Sequence, residues 1–379
     1  MNLAVRDLRH NLLRFVLTGI GLGGLLGIVV VMVGIYKGAL DDALRLPRAS
    51  SPDLWVVQPL TKGPFAEPSR IPRDTRDLVR RIPGVAQTGA VTFQTLQAAA
   101  NGKPLRIYLQ GYEPGRLGGP SALIDGHGIT QSHYQMVADI SSGLHLGDRV
   151  PLGPYGDRYT VVGLTKGMVN SGGDPIAWVT LLDAQAIQFD VAPPLQRRER
   201  AAGRSPLVTA DINAVLVQLQ PGVATAAVAQ QIERWKHLSA VTEKQEEDYV
   251  TAFVISKMQK QIGMFLAILI VVSAVIIALI IYTLTMDKMR SIATLKLVGA
   301  PDRTIVGLIV QQALALGVSG FGLGVALTAT FKDFFPRRVL MEPADLAILF
   351  AIVVVICLLA SALSVRAAVT VDPAKALAG

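Results

Sequence analysis

The chain has 379 residues, of which 51% are hydrophobic and only 17% charged, with a formal net charge of +8. A soluble domain carries about 25% charged residues, so this balance fits a chain that is part membrane and part water-exposed. The basic excess flanks apolar runs and is not interleaved with aromatics, which argues against nucleic acid, and the single cysteine, Cys357, excludes an intrachain disulfide or a cysteine metal cluster.

In chain order, Arg6, Arg9 and Arg14 precede the first apolar run, Phe15–Tyr36, which holds 22 residues without a charge. That is longer than the ~7–15 residues of a signal-peptide core, so a retained transmembrane helix is expected. Residues 37–242 then read as a mixed α+β domain: a strand at Leu54–Val57, a short helix in "RDTRDLVRRIPGV", strands in "VTFQTLQAA" and "PLRIYLQGY", more in "HYQMVADI", "HLGDRVPLG" and "DRYTVVGLT", and a strand, turn and helix in "INAVLVQLQPGVATAAVAQQIERWK". Within it, "LTKGPFAEPSRIP" is expected to be irregular because of Pro64, Pro68 and Pro72, and 190–210 reads as a basic loop with Arg197, Arg198, Arg200 and Arg204.

Residues 243–260 place Val250, Phe253, Val254 and Met258 on one apolar helix face. They predict a stalk helix continuous with the next span, whose acidic group, Glu243, Glu246, Glu247 and Asp248, is its solvated face. Three further uncharged runs follow: 261–286, 304–331 and 346–365. Each is about 20 residues or longer, enough to cross a hydrocarbon core of about 30 Å. The fold class is therefore a membrane protein with four transmembrane helices and a large α+β extracytoplasmic domain between the first and second.

Between the spans lie 287–303, a short loop 332–345 and a tail 366–379. Nine basic residues (Arg6, Arg9, Arg14, Lys288, Arg290, Lys296, Arg303, Arg366 and Lys375) fall on one side, while 332–345 balances three basic against three acidic. Positive charge in short loops marks the cytoplasmic side, so both termini are expected there. Gly19, Gly23 and Gly27 share one face of the first span, and Gly320 and Gly324 repeat the device in the third; such spacing lets helix backbones approach closely, within one chain or between two copies. No Asp, Glu, Lys, Arg or His lies in any span, which argues against an ion-coupled transporter.

The sequence lacks a G-x-x-x-x-G-K-[ST] phosphate loop, a H-E-x-x-H metal motif and a G-x-S-x-G elbow. Neither ATP hydrolysis nor other catalysis is expected of this chain, and no metal or cofactor site is assigned. Attention turns to "DKMRSIATLKLVGAPDRT". It is longer than the two to eight residues that usually join adjacent helices, and it predicts a helix over 288–299 ended by Gly299, with Pro301 preventing continuation. Ile292, Leu295 and Val298 are expected on one apolar face, with Lys288, Arg290 and Lys296 offering charge.

"NLAVRDLRHNLLRFVLTGIGLGGLLGI", "LHLGDRVPLG…YTVVGL", "DKMRSIATLKLVGAPDRTI" and "RAAVTVDPAKAL", in that order on a four-span layout, resemble the MacB/FtsX-like permeases of ATP-binding-cassette transporters. "DLWVVQPLTKGPFAEPSRIP" resembles their DevC-like branch. The resemblance implies a basic amphipathic helix over 1–14, a bacterial inner-membrane location and a coupling helix over 288–299 set into a separate ATPase subunit that holds ATP and Mg. It also implies two copies of the permease, a periplasmic membrane-fusion adaptor and an outer-membrane duct, and export by mechanotransmission. Two rivals share parts of the pattern: an FtsX-like regulator of extracytoplasmic enzymes, whose outer domain is typically smaller, and a non-transporting receptor, which needs no capped helix between spans two and three. A cargo entrance is expected where Phe65, Glu67 and Arg70 meet Met258 and Phe265, the alternative being a strut to the outer domain.

Overall fold

The computed structural model describes residues 12–100, 103–153, 156–189, 202, 211–299, 301–335 and 337–370. Residues 1–11 of the expected N-terminal helix, nearly all of the basic loop 190–210 and the "VDPAKAL" motif lie outside the described residues. The chain divides into two compact units: Ala39–Lys257, and Met1–Gly38 with Met258–Gly379. Among the described residues, four helices are long and apolar enough to cross a membrane. The first, α1 (Leu12–Ser50), continues well past Lys37 and carries Pro47 near its end.

In the unit Ala39–Lys257 a ten-stranded sheet runs β12-β1-β11-β3-β4-β9-β6-β8-β5, with β7 paired to β8. The long strand β3 (Val85–Ala100) unites its two halves: residues 85–91 pair with β11 (Ala214–Leu219), and 92–100 with β4 (Lys103–Tyr112). At one end lie β1 (Leu54–Val57) and β12 (Ser239–Thr242); at the other lie β9 (Ile176–Thr180), β6 (Gln135–Asp139), β8 (Asp157–Thr165), β7 (Arg149–Leu152) and β5 (Asp125–Gly126).

Alternation along each strand sorts its side chains to two faces. Leu54 and Val56 of β1, with Val215 and Val217 of β11, meet Val79 and Ile82, of and just after α3 (Thr75–Arg80), and Val228 and Ile232 of α5 (Thr225–Lys236). Trp55, Val57, Ala214 and Leu216 point the other way, into a core with Phe93, Trp178 and Val241. Both faces are covered, so β1 is buried at all four positions, as expected of a central apolar strand. The sequence reading missed β9, β12 and α4 (Leu181–Phe189), which are short apolar runs without distinctive punctuation.

Three local expectations need correction. The stretch 60–72 is not wholly irregular: Gly63–Ala66 forms a one-turn helix, α2, and Ile71–Pro72 forms β2, paired with β10 (Asp211–Ile212). Pro64 stands in the first turn, where its missing N–H has no helical partner to lose. The stalk is not one uninterrupted α-helix. Helix α6 (Glu243–Tyr249) starts in a capping box between Thr242 and Gln245, passes into a π-helical turn over Val250–Ile255, and resumes as α7 (Ser256–Asp287). The wider turn buries Val250 and Ile255 while Phe253 lies under the Lys62 ammonium, 3.7 Å from the ring centre.

The acidic group of the stalk is also not uniformly solvated. Glu247 accepts from Arg48 at 2.6 Å, but Glu246 is completely buried. One Glu246 oxygen accepts from the Phe65 backbone amide at 3.3 Å and the other has no hydrogen-bond partner among the described residues. Burial, only partly offset by that amide, pushes its pKa up to about 8. Gly63, at φ +77, packs where any Cβ would collide with this carboxyl.

In the other unit, Leu22, Leu26 and Val30 of α1, Ile277 and Ile281 of α7, Ile305, Ile309 and Leu316 of α9 (Asp302–Phe331) and Val353 and Cys357 of α10 (Pro343–Thr370) form one apolar core. The opposite side of α7 exposes Met264, Ile268, Val271, Val275 and Leu279. An exposed apolar stripe of this length belongs in lipid, where the helix already satisfies its backbone internally.

Candidate functional site

The charged segment between the second and third spans folds as helix α8 (Met289–Leu297). Lys288 occupies its N-cap, and the Ile292 amide donates to the Lys288 carbonyl at 2.9 Å. At the other end the Gly299 amide donates to the Lys296 carbonyl at 3.0 Å, and Gly299 takes φ +92. That left-handed value suits glycine and stops the helix. Pro301 then caps α9, and Lys296 Nζ stands 3.6 Å from Asp302 Oδ1, tying the two helices together.

Helical periodicity divides α8 into two faces. Ile292 and Ala293 are buried, Ile292 in the same core as Ile305 and Ile309. The opposite face carries Arg290, Thr294 and, one turn on, Leu297 and Val298, which are 62% and 83% exposed. Ile292 therefore serves the bundle and does not join Val298 on the outward face, a correction that agrees with helix geometry, since a six-residue separation sets the two side chains about 120° apart. The sequence reading overlooked Leu297, although an apolar residue just before a glycine stop was signal enough. The side chain of Leu295 lies outside the described residues. Lys288 is half-buried, and desolvation lowers its pKa.

The glycines meet within one chain. A Cβ on Gly27 would lie 3.3 Å from the Gly324 carbonyl oxygen, and one on Gly324 would lie 2.8 Å from backbone atoms of Gly23 and Gly27. Gly23 faces Leu323 and Gly320 faces Leu22, whereas Gly19 has nothing within 4 Å. Thr328 Oγ1 donates to the Gly324 carbonyl of its own helix at 2.9 Å and approaches the Gly27 carbonyl at 3.4 Å.

Phe65 sits in an aromatic group with Trp55 and Phe93, ring centres 5.1 and 5.0 Å away. Glu67 accepts from the Lys62 amide at 3.2 Å, and Arg70 pairs with Asp211. These three belong to the unit Ala39–Lys257, while Met258 and the exposed Phe265 belong to the other. Among the described residues no group of three or more His, Cys, Asp or Glu side chains is arranged to hold a metal ion.

Residues 15–235 match the MacB-like periplasmic core domain and residues 263–373 match the FtsX-like permease C-terminal family. An ABC transporter permease of Mycobacterium tuberculosis is 24% identical over 381 residues, covering 99% of both chains. A second, from Mycobacterium bovis, is 22% identical with the same coverage. Among solved structures, the extracellular domain of the noncanonic ABC-type transporter YknZ from Gram-positive bacteria covers 51% of this chain and all of its own (15% identity, TM-score 0.34). The periplasmic region of MacB from Actinobacillus actinomycetemcomitans covers 54% of this chain and 94% of its own (10% identity, TM-score 0.36). With the first family pattern alone spanning more than half of its length, the chain belongs to the MacB/FtsX-like family of ABC transporter permeases.

Proposed function

We propose that this permease is the mechanical subunit of an ATP-driven exporter in a bacterial cytoplasmic membrane, with both termini in the cytoplasm. ATP and Mg bind in the separate ATPase subunit that an ABC permease implies, and two copies of the permease pair with two ATPases. The observation that carries this reading is the pairing of an exposed apolar tip, Leu297–Val298, with a buried root, Ile292–Ala293, on one short capped helix. A force applied to the tip passes into the span core through side chains packed at solid density. A loose linker would dissipate it.

From there α7 and the preceding π turn lead the chain to the outer unit, where α6 is fastened by Glu246 and Arg48. Cargo is taken from the outer leaflet or periplasm and handed to an adaptor of the membrane-fusion type and an outer-membrane duct. Phe65, Glu67 and Arg70 remain our candidates for the part of a cargo entrance that the outer unit contributes. The large outer unit supports export over a purely regulatory role of the FtsX kind.

Leu297→Asp and Val298→Asp test the coupling. Both side chains are exposed in the chain alone, so insertion and folding should be retained, while a charge left unpaired in an apolar protein contact is expensive by several kcal/mol. Loss of stimulated ATPase activity and of transport, with the outer unit folded, is the expected result in the complex co-purified with its ATPase. Full activity in both variants refutes the coupling role.

A further inference from the structure

Helices α3 and α5 lie side by side on the sheet, and their outer shoulders leave a groove of about 640 Å³. Its apolar floor is the half-buried Leu78 and the buried Ile82, and the exposed Pro83 and Ala227 complete the lining together with Arg81 and Arg234. Both arginines are exposed. Neither guanidinium has an ion-pair or hydrogen-bond partner among the described residues. The contrast with their neighbours is sharp: Arg73, Arg76 and Arg116 all converge on Glu113. The fold thus gives each of those three arginines a carboxylate contact and leaves the two that line the groove without one among the described residues.

We propose that this groove binds an anionic amphiphile, a molecule with a phosphate or carboxylate head and a short apolar body. The guanidiniums supply forked donors that match either head group, and the amides of Gln230 and Gln231 stand beside them on α5. The apolar floor accepts the hydrocarbon. A volume of this size is typical of small-molecule sites, about 300–1,000 Å³. An inorganic anion would use the arginines and waste the floor; a neutral lipid would do the reverse.

The test uses the full-length permease in nanodiscs of neutral phosphatidylcholine, titrated calorimetrically with octyl phosphate, with empty discs subtracted. Saturable binding is expected, at least tenfold weaker in the double variant Arg81→Gln/Arg234→Gln and in Ala227→Phe, which places a bulky ring on the groove's lining. Inorganic phosphate should bind at least tenfold more weakly than octyl phosphate. Competition by phosphatidic acid placed in the discs assigns the head group to a membrane lipid, and its absence assigns it to a free amphiphile; either is consistent with the proposal.

Absence of octyl phosphate binding, equal binding by wild type and the double variant, or equal affinity for inorganic phosphate overturns it. Tighter binding of an acidic amphipathic helical peptide, lost in the same double variant, reassigns the groove to a protein partner and overturns it too. Intrinsic fluorescence, to which the buried Trp55 and Trp178 contribute alongside Trp235, is paired with far-UV circular dichroism to verify that each variant is folded. Neither ATP nor transport enters the measurement, so failure here leaves the coupling reading intact, and failure there leaves this one intact.

Discussion

Replacing Glu246 by glutamine removes a buried acid while keeping its shape and its bond to the Phe65 amide. Glu246 lies ahead of the uncharged run 261–286, in the water-exposed part of the chain, so its ionisation responds to the outer solution. Its pKa rises from an ordinary 4.5 to about 8 in the folded protein. Below pH 4.5 both folded and unfolded chains hold the proton, and the residue adds no pH dependence. Between 4.5 and about 8 the unfolded chain releases its proton and the folded one does not, so stability falls as pH rises. Above about 8 the loss is complete. Each pH step costs about 1.4 kcal/mol, so the interval amounts to several kcal/mol, on the order of 4–5.

Urea unfolding of the permease in nanodiscs, followed by fluorescence of Trp55 and Trp178, measures this. Other groups titrate over the same range, so the informative quantity is the difference between wild type and Glu246→Gln at pH 5 and at pH 8.5. The variant should match the wild type to within about 1 kcal/mol at pH 5 and exceed it by several kcal/mol, on the order of 3–5, at pH 8.5. Parallel pH dependence in the two proteins refutes the reasoning, because the carboxyl would then be ionised in the fold or solvated.

Gly324→Val forces a branched side chain against the backbone of Gly23 and Gly27 and should destabilise the bundle by about 1–3 kcal/mol, read as a lower thermal midpoint in detergent; Gly19→Ala, whose Cβ meets nothing within 4 Å, should leave that midpoint unchanged. Arg76→Ala removes one of the cations around the largely buried Glu113 and should cost about 2–3 kcal/mol, less than an isolated buried pair because Arg73 and Arg116 remain; urea unfolding checks it. Gly299→Ala places a Cβ at φ +92 and should cost about 1 kcal/mol, visible as reduced stimulation of the partner ATPase with unchanged expression.

The sequence by itself determined what depends on a short contiguous stretch. An uncharged run long enough to span lipid has few alternatives, because an unsatisfied backbone is intolerable there. The stop at Gly299 and the strand at Leu54–Val57 are equally local, one set by a left-handed backbone and the other by four consecutive apolar residues. Only tertiary structure decided which side of α8 faces outward, since Ile292 is claimed by Ile305 and Ile309 on the following helix. It also decided that Gly27 mates with Gly324 inside one chain, a pairing of two distant helices that spacing alone leaves open. Glu246 is the clearest case. Its neighbours in sequence are Gln245 and Glu247, and nothing in them distinguishes it from a solvated acid. What buries it is the turn at Gly63 and Phe65, 181 residues earlier in the chain in the case of Phe65, and ionisation answers to that surrounding medium and not to the residues written beside it.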